Sequence, residues 1–600
     1  MPYNPFSMNF NKKLAAAALL LLINCTAMAQ SNIVWSVLLE RANKPAVVAG
    51  TFSGVIIKPI TLNKTIDGIK VSTVVKSVNG QVRFVITASS TQLDSCYLSL
   101  KANYRSGTIY TYLGEEKAEE IYRESPHNPR NVGFADIKMQ DLPMIAIKDG
   151  SVFTVALNDS PIYYDNYTTQ HVNPAAKEAG LSSGDNGKTI EPIPATMNVH
   201  PYYHVIQAGK PHVFNGIIFK STADNINNLR KDVLFAIAKR WNTITDRLGA
   251  TSWSSNYMLL RKNETGFSDY WVVPGIKYSN KEYTRDSFWQ SFVLPAKYAA
   301  ESYKHESKSQ QHGSDRPLFT MIWAYRTKMD GGTPDMVGAQ KSLDYIDAHI
   351  RNGKFYAYDG AGLKNFQYWL DVMAFDEDDV ITANQGLMAV ALLSAEKLGM
   401  HPKASSELAI KNYRAMFNSK VGYFPISEKK DLPCVDVLMG DLLAQLIFGK
   451  PLLSDEMVRS HFNYMEKVAK TQYGYKDVCM PNGSFCPTSA YQAKDFKIVD
   501  PSIGLGDGNY QAGGSWFLYD MQFLMDSYLH KVPGARKELM WRGALDFKLG
   551  GTYFEFINTV TGTPTKANQG WNAAVYGIWK KLMAKGLADN SLLNAVNQVK

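Results

Sequence analysis

The segment VLFAIAKRWNTITDRL, residues 233–248, marks the change of hydrophobic period that decides the fold of this 600-residue chain. Asn and Asp residues precede it and can cap a helix. We therefore predict one linker helix over 223–252, which separates two regions of different period. Its apolar residues recur at the spacing of one helix face: Val233, Leu234, Ile237, Ala238, Trp241, Ile244 and Leu248.

Upstream of this helix, residues from about 45 to 220 show the two-residue alternation that is typical of antiparallel strands. Ile69–Val78 and Val82–Thr87 flank Asn79-Gly80, a dipeptide that favours a two-residue hairpin loop. Pro, Gly, Ser, Asp and Asn cluster over 174–196 and predict a long loop. We predict an antiparallel β-sandwich domain over 30–222. Other short runs typical of strands lie at Cys96–Lys101, Gly107–Leu113, Ser151–Leu157 and Val213–Lys220.

Downstream, residues 253–600 carry helical periodicity, and no strand-rich region interrupts it. Ten to twelve helices joined by long polar, aromatic-rich loops predict helical hairpins closed into an (α/α)6 toroid. The fold class is therefore a multidomain β plus α chain, with the sandwich followed by an α/α-barrel catalytic domain. The clearest helix signals lie at 286–303, 336–351, 382–399, 404–417, 435–448, 454–470, 514–530, 535–546 and 570–584.

The first 29 residues are typical of a secretory signal peptide. Two lysines precede the apolar run Leu14–Ile23, and Ala27-Met28-Ala29 provides a small-x-small cleavage site. The apolar run is too short to span a bilayer, and no membrane span is predicted elsewhere. We expect an exported chain, periplasmic or extracellular, that begins at Gln30. A lipid anchor at Cys25 is not predicted, because no small residue stands directly before it.

Composition and charge restrict the classes of ligand that the chain is expected to bind. The formal charge of +9 is scattered between acids and forms no basic stripe, so a nucleic-acid partner is not predicted. With 33 Tyr, 27 Phe and 11 Trp, the chain suits stacking against hydroxylated ligands such as carbohydrate. No cofactor or metal is predicted, since no pair of cysteines has CxxC spacing and no HxxxH accompanies them. Cys479 and Cys486 bracket a Pro-Asn-Gly loop, and whether they form a disulfide stays open.

Two segments place acids at the start of predicted helices. In YTRDSFW, residues 283–289, Asp286 can cap the helix while Arg285 offers a rigid fork of donors to hydroxyls or to a carboxylate. A plain cap with a salt bridge is the structural alternative.

In YWLDVMAFDEDDV, residues 368–380, four consecutive carboxylates precede a helix whose dipole favours them. Capping uses one or two acids, and crowding raises the pKa of the least solvated one, which a general acid requires.

A third segment, GLGDGNYQAGGSW over 504–516, is rich in glycine. Glycines let the backbone approach a ligand closely, and Tyr510, Gln511 and Trp516 provide stacking and hydrogen bonds. No Gly-Lys-Ser/Thr follows, so this is not a phosphate-binding P-loop. A Gly-rich connection between helices is the structural alternative.

The fourth segment, YFEFINTVTGTP over 553–564, is followed by Asn568-Gln569-Gly570-Trp571. Glu555 lies between two phenylalanines in a short extended run, and an isolated carboxylate among aromatics is a candidate general base. The alternative is an exposed strand residue.

At these four segments the chain resembles the α/α-barrel glycoside hydrolases and phosphorylases that carry an N-terminal β-sandwich: glucoamylase-like, trehalase-like, α-glucosidase-like and maltose-phosphorylase-like enzymes. The resemblance covers roughly residues 225–590 as architecture. It implies that Arg285 and Asp286 bind the terminal sugar. Glu555, the Thr561-Gly562 turn and Gly570-Trp571 follow the order around the base of trehalase-like and α-glucosidase-like members. The other substrate-binding candidates are Trp369, Tyr510, Gln511, Trp516, Gln569 and Trp571.

The resemblance leaves the general acid divided among three residues. Phosphorylase-like members carry a Pro-Asp-Glu acid before an Asn-rich helix, and Phe375-Asp376-Glu377 is similar except for its first residue. Trehalase-like members carry the acid in a Trp-Asp context, similar to Trp369-Leu370-Asp371 with one residue inserted. The candidates are Asp371, Glu377 and Asp378.

Together these features predict an exported, exo-acting glycoside hydrolase that cleaves oligosaccharides, and the resemblance implies that it inverts the anomeric centre. Its acid and base would lie about 6.5–9.5 Å apart. The enzymatic alternatives are a polysaccharide lyase and a disaccharide phosphorylase, although no cationic cluster beside Glu555 would hold phosphate. A non-catalytic glycan-binding protein of the cell envelope is the alternative outside enzymes. The sugar, its linkage and the oligomeric state stay open.

Overall fold

A computed structural model divides the chain into two compact units, Met1–Leu229 and Arg230–Lys600. The predicted signal peptide, Cys25 and Asp371 lie outside the described residues. The structure describes residues 33–41, 44–53, 58–78, 80–92, 94–110, 115–116, 144–157, 167–173, 177–184, 204–206, 208–241, 244, 246–262, 268–275, 283–309, 315–356, 369–370, 372–493, 506–565 and 567–599.

The first unit is built from two antiparallel sheets. One sheet has the order β11-β12-β6-β1-β2, with β13 also paired to β6, and the other has the order β3-β4-β5-β14-β10-β9-β7-β8. One buried apolar cluster draws residues from both sheets, including Trp35 of β1 and Phe84 of β5. The strands are β1 Ile33–Arg41, β2 Lys44–Ser53, β3 Ile60–Ile66, β4 Ile69–Val78, β5 Gln81–Ser89, β6 Asp94–Tyr104, β7 Thr108–Tyr110, β8 Glu115–Glu116, β9 Met144–Asp149, β10 Val152–Leu157, β11 Tyr167–Asn173, β12 Glu178–Gly184, β13 His204–Ile206 and β14 His212–Ser221.

The predicted hairpin is confirmed. β4 pairs antiparallel with β5, and Val78 lies opposite Gln81, so the loop consists of residues 79–80. Gly80 has φ of 78°, a value that favours glycine in such a loop. The loop predicted over 174–196 is wrong in part, because β12 lies within it and pairs with β6 and β11. Its sequence EAGLSSG has no β-branched residue, so pairing with neighbouring strands outweighs local propensity there.

Helices make up most of the second unit, which also holds three short hairpins at β15 Leu260–Lys262 with β16 Tyr270–Val272, β17 Ile350–Arg351 with β18 Lys354–Phe355, and β19 Lys470–Thr471 with β20 Gly474–Tyr475. The helices are α1 Ile226–Trp241, α2 Arg247–Met258, α3 Thr284–Gln290, α4 Ala296–Lys308, α5 Arg316–Met329, α6 Met336–His349, α7 Thr382–Leu398, α8 Ser406–Ala415, α9 Met439–Phe448, α10 Asp455–Val468, α11 Phe517–Leu529, α12 Ala535–Lys548, α13 Ala574–Ala584 and α14 Ser591–Asn597. A 3-10 turn, Val435–Leu438, leads into α9.

The helices form the ring of an α/α toroid. Neighbouring contacts run from α3 to α5, α7, α9, α11 and α13, and α13 in turn packs against α2. Gly570 lies between α2 and α3, since a Cβ there would meet Gln290 Nε2 at 2.2 Å and Asn256 Oδ1 at 2.9 Å. We call the helices of this ring, α2, α3, α5, α7, α9, α11 and α13, the inner helices. An inner helix is the packing partner of each of α4, α6, α8, α10 and α12, and α14 packs against α12 and α2. The predicted order of a sandwich followed by a helical toroid is confirmed.

Two predicted helices are divided in the structure. The linker helix predicted over 223–252 becomes α1 and α2, because Asp246 caps a new helix by accepting from Gly249 N at 2.7 Å. The helix predicted over 286–303 becomes α3 and α4, with Pro295 at the N-cap of α4. Proline lacks the backbone N–H that a continuous helix needs. No helix among the described residues is both long and apolar enough to cross a bilayer.

Candidate active site

Six aromatic side chains from the predicted segments and the first turn of α11 form one contiguous group. Trp516 is its centre: its ring stacks on Phe556 and on Trp571, with 5.6 Å between centroids in each pair. Trp369 and Tyr510 approach the ring of Trp516 edge-on, each at 5.3 Å. The group comprises Trp369, Tyr510, Trp516, Tyr519, Phe556 and Trp571. Four candidates from three separate segments, Trp369, Tyr510, Trp516 and Trp571, are thus brought together.

Trp369 is fixed from two sides. Its ring stacks on Tyr519 with centroids 3.8 Å apart, and its Nε1 donates a 2.6 Å hydrogen bond to Asp436 Oδ2. Cys434 Sγ donates to the other oxygen of Asp436 at 2.8 Å. Burial raises the pKa of Asp436 to about 8, while the charge of Arg285 acts in the opposite direction. At neutral pH this carboxyl is therefore mostly protonated.

Charged groups lie within electrostatic range of Tyr519. Arg285, in the first turn of α3, forms an ion pair with Asp315 and has its Nε 3.9 Å from Asp286 Oδ1. Burial raises the pKa of Tyr519 well above its usual value, Arg285 lowers it, and Asp286 and Asp436 raise it further. The predicted Arg285–Asp286 pair thus lies within electrostatic range of the aromatic group. Arg285 and Asp286 are only partly buried, which leaves them accessible to a ligand.

Backbone and side-chain hydrogen bonds hold the segment that carries Glu555. Ser515 and Ile557 exchange two backbone hydrogen bonds of 2.9 Å, which join the third predicted segment to the fourth. Asn572 Nδ2 donates to Phe554 O at 2.6 Å, and Asn572 Oδ1 accepts from Leu518 N at 2.9 Å. Glu555 is buried, with 5% of its surface exposed, so the alternative of an exposed strand residue is wrong.

Gln511 has a different position from the one a ligand-binding amide would need. It is buried, its Nε2 donates to Trp369 O at 2.8 Å, and its Oε1 accepts from Val372 N at 3.1 Å. Both ends of the amide therefore hold the backbone on either side of residues 370–371.

Gln569, another predicted substrate-binding residue, is fully buried, and a Cβ on Gly275 would meet its Oε1 at 2.3 Å.

The four consecutive acids at residues 376–379 lie in different environments. Glu377 and Asp378 are exposed, and Asp378 forms an ion pair with Lys429. Asp379 is buried and accepts from Ser427 Oγ at 2.7 Å and from Lys429 N at 3.1 Å. Burial raises the pKa of Asp379, and these hydrogen bonds lower it. Asp379 thus ties the start of α7 to residues 427–429, while the side chain of Asp371 lies outside the described residues.

The cysteines that bracket the Pro-Asn-Gly loop are separate thiols in the structure, so the disulfide that the sequence leaves open is not formed. Cys479 and Cys486 are buried, and burial raises the pKa of each thiol to about 12. Neither thiol is therefore a thiolate at neutral pH.

Three site residues were missed by the sequence analysis: Tyr519, Asp436 and Asp315. Tyr519 lies in the first turn of α11, three residues after Trp516, so helical spacing would have placed both on one face. Asp436 stands in CVDVL and Asp315 in SDRPL, where an isolated acid gives no local signal of a site.

Comparisons with solved structures give several likenesses at low identity. A bacterial glucoamylase in complex with acarbose has 10% identity and a TM-score of 0.39, with 94% of this chain and 90% of that chain covered. The GH63 mannosylglycerate hydrolase from Thermus thermophilus, in complex with glucose, has 11% identity and a TM-score of 0.36, with 56% and 99% covered. A wild-type glycosidase has 9% identity and a TM-score of 0.38, with 57% and 97% covered.

No protein-family model matches this chain. No curated protein matches it either. A likeness in fold does not carry an active site with it, because one fold hosts many chemistries.

Proposed function

We propose that this chain is an exported glycoside hydrolase that cleaves oligosaccharides from a chain end with inversion, and that Glu555 is its general base. The observation that carries the proposal is that Phe556, the residue directly after Glu555, stacks on Trp516, the centre of the group of six aromatic rings. The faces of these six rings, which we call the platform, provide an apolar surface for the C–H groups of a sugar ring. Arg285 and Asp286 beside the platform supply donors and acceptors for hydroxyl groups.

The burial of Glu555 supports its role as a base. A general base must be held where it can reach a water molecule, and hydrogen bonds to its neighbours restrict the backbone of this residue. An inverting enzyme leaves room for that water between its two carboxyl groups, which stand about 6.5–9.5 Å apart.

Among the three acid candidates, we favour Asp371. Its neighbours Leu370 and Val372 are buried, and Gln511 holds the backbone beside them next to Trp369. A general acid needs partial desolvation to stay protonated near neutral pH. Glu377 and Asp378 are exposed, and Asp378 is engaged in an ion pair with Lys429.

A glycan panel tests the proposal. The full chain is incubated with reducing and non-reducing oligosaccharides, and products are identified by mass and by anomeric configuration in the first minutes. We expect loss of single sugar units, with products whose anomeric configuration is opposite to that of the substrate. The Glu555→Gln variant should give no products. Glu538→Gln, a change of another buried glutamate that pairs with Lys470, is the matched control and should act like the unmodified chain.

The same panel separates the alternatives. A disaccharide phosphorylase would require phosphate and release a sugar phosphate. A polysaccharide lyase would release unsaturated products that absorb near the ultraviolet edge. Binding without any product, unchanged in Glu555→Gln, would support a glycan-binding protein and contradict the proposal. Export is tested by N-terminal sequencing of the protein from the native host, where we expect a start at Gln30.

A further inference from the structure

A cluster of titratable side chains lies between two inner helices, outside the candidate active site. Asp441 is in the first turn of α9, Asp526 is near the end of α11, and His530 directly follows α11. All three are buried, and one ligand atom of each lies within 4.8 Å of the others. Asp441 Oδ2 and His530 Nε2 are 2.6 Å apart.

Hydrogen bonds from neighbouring residues fix the orientation of the two carboxyl groups. Asp441 Oδ1 accepts from the backbone N of Leu452 and of Leu453, the second at 2.7 Å, and this leaves Oδ2 towards His530. Gln445 Nε2 lies 3.3 Å from Asp441 Oδ2 and 2.9 Å from Asp526 Oδ1. The amide of Gln445 therefore stands between the two carboxyl groups.

Two carboxyl groups and one imidazole are buried together in this cluster. Asp441 and Asp526 have no exposed surface. Asp526 Oδ2 is buried and has no hydrogen-bond partner among the residues that the structure describes. An unpaired buried carboxyl oxygen is costly, and such groups usually pair or coordinate a metal.

The imidazole has the support that metal ligands usually have. His530 Nδ1 lies 2.7 Å from Oδ1 of Asp455, whose side chain is mostly exposed at the start of α10. A carboxylate behind a ligating histidine fixes its tautomer and turns the other nitrogen towards the ion. With Nδ1–H donated to Asp455, Nε2 faces Asp441 Oδ2 at 2.6 Å, a hydrogen-bond distance at which an ion would take the place of the bridging proton.

We propose that Asp441, Asp526 and His530 bind a divalent cation of the zinc class, with Gln445 as the fourth ligand. Ligand atoms around tetrahedral Zn²⁺ lie roughly 3.3 Å apart. Gln445 Nε2 lies 3.3 and 2.9 Å from its two carboxylate neighbours. The 2.6 Å contact between Asp441 Oδ2 and His530 Nε2 would widen by roughly 0.7 Å to admit the ion. The O and N ends of an amide have nearly the same shape, so a half-turn of the Gln445 amide presents its oxygen to the ion. Mixed carboxylate and imidazole ligands favour Zn²⁺ over Ca²⁺ or Mg²⁺.

The ion would serve the fold. It would join α9, α11 and the start of α10, because its ligands come from the first two and its supporting carboxylate from the third. Any ion that binds the folded chain and not the unfolded chain adds its binding free energy to stability. The inference is independent of the proposed glycosidase activity, since none of these residues belongs to the aromatic group.

Metal content tests the site directly. The full chain is dialysed against metal-free buffer, and its metal is measured by mass spectrometry. We expect about one zinc ion per chain, a lower melting temperature after chelation, and its recovery when Zn²⁺ alone is returned. Co²⁺ in the chelated protein should give the visible absorption of a four-coordinate site. Protein without bound metal, whose melting temperature does not respond to Zn²⁺ or Co²⁺, would overturn the proposal.

Two variants locate the ion. Asp526→Asn should abolish stoichiometric zinc and the response to chelation. Asp546→Asn is the matched control, because Asp546 of α12 is also buried without a described hydrogen-bond partner, and it should keep zinc as the unmodified chain does. If Asp526→Asn does not fold, His530→Gln provides the same measurement. Equal zinc content in the Asp526→Asn or His530→Gln protein and the unmodified chain would place the metal elsewhere and contradict the site.

Discussion

The indole Nε1 of Trp369 donates to Asp436 Oδ2 at 2.6 Å, and the same indole stacks on Tyr519 at 3.8 Å. The hydrogen bond uses the polar edge of the ring, and the stack uses one face. A platform residue is useful only if its orientation is fixed before the ligand arrives, because a free rotor loses entropy on binding. Asp436 therefore acts as a positioning group for Trp369.

Replacing Asp436 by Asn should change how stability depends on pH. The pKa of Asp436 is about 8 in the folded chain and about 3.9 in an unfolded one. Between these values the unfolded state releases the proton that the folded state keeps, so the free energy of unfolding falls as pH rises. Asn cannot ionise. We expect Asp436→Asn to gain stability relative to the unmodified chain from pH 5 to pH 8, by on the order of a few kcal/mol.

Asp546→Asn is the control for this titration. Burial raises the pKa of Asp546 to about 6, so its relative gain should end near that pH. Melting curves of both variants and the unmodified chain over the same pH range make the comparison. A difference for Asp436→Asn that does not change with pH would contradict the raised pKa.

Truncating Gln511 to Ala should destabilise the fold and loosen the platform. The change leaves Trp369 O and Val372 N without their partner inside the protein, and a buried unsatisfied polar group costs about 1–3 kcal/mol. Denaturant unfolding measures the loss. We also expect a higher KM, because Trp369 is held through this backbone. Gln511→Glu keeps the acceptor for Val372 N but sets a carboxyl oxygen against Trp369 O, so it should be destabilised more at neutral pH than at acid pH, where a protonated carboxyl can donate.

Much of the fold could be predicted from the sequence, because most strands and helices show their hydrophobic periodicity within their own residues. The strand over Ile69–Val78 and the helix over 535–546 need no distant partner to be recognised. Strand β12 was missed because it pairs through β6 despite a sequence of small residues. Helix α5, which begins with Arg316-Pro317, was also missed, although proline near a helix start is a known signal.

The candidate site was predictable where aromatic residues and glycines cluster in one segment. Trp516 and Trp571 were identified in this way, and the structure stacks them. Roles were harder to infer, because the partner of a side chain is set by tertiary contacts. Gln511 was expected to meet substrate and instead holds backbone. Asp436 was missed because its importance comes from Trp369, which lies 67 positions away in the sequence.

The buried thiols should be protected in the native state. Cys434, Cys479 and Cys486 are buried, and their pKa values are raised by burial, so few thiolates form at neutral pH. We expect alkylation of the native chain to leave these three unmodified, and alkylation in denaturant without reductant to modify all three. Peptide mass mapping distinguishes the sites. A Cys479–Cys486 peptide linked in the denatured, unreduced sample would contradict the structure.

The Glu555→Gln variant should bind substrate and fail to turn it over. The change is isosteric and removes only proton acceptance, so we expect kcat to fall by at least about 100-fold, in line with general base catalysis. Quenching of the tryptophan fluorescence on ligand binding should persist, because the platform is intact. Glu538→Gln checks for a general effect of replacing a buried glutamate. Retention of more than about a tenth of activity in Glu555→Gln would remove Glu555 from the mechanism.

The amide variants of the three acid candidates should differ sharply from one another. Asp371→Asn should slow cleavage of natural oligosaccharides by about 100-fold or more, and should slow activated aryl glycosides far less, because good leaving groups need little protonation. Glu377→Gln and Asp378→Asn should stay near the unmodified rate on both substrates, since both residues are exposed and Asp378 pairs with Lys429. Normal cleavage of natural substrate by Asp371→Asn, together with a loss in Glu377→Gln, would move the acid to Glu377. If all three variants cleave natural substrate normally, the acid lies outside this segment, and the pairing with Glu555 is wrong.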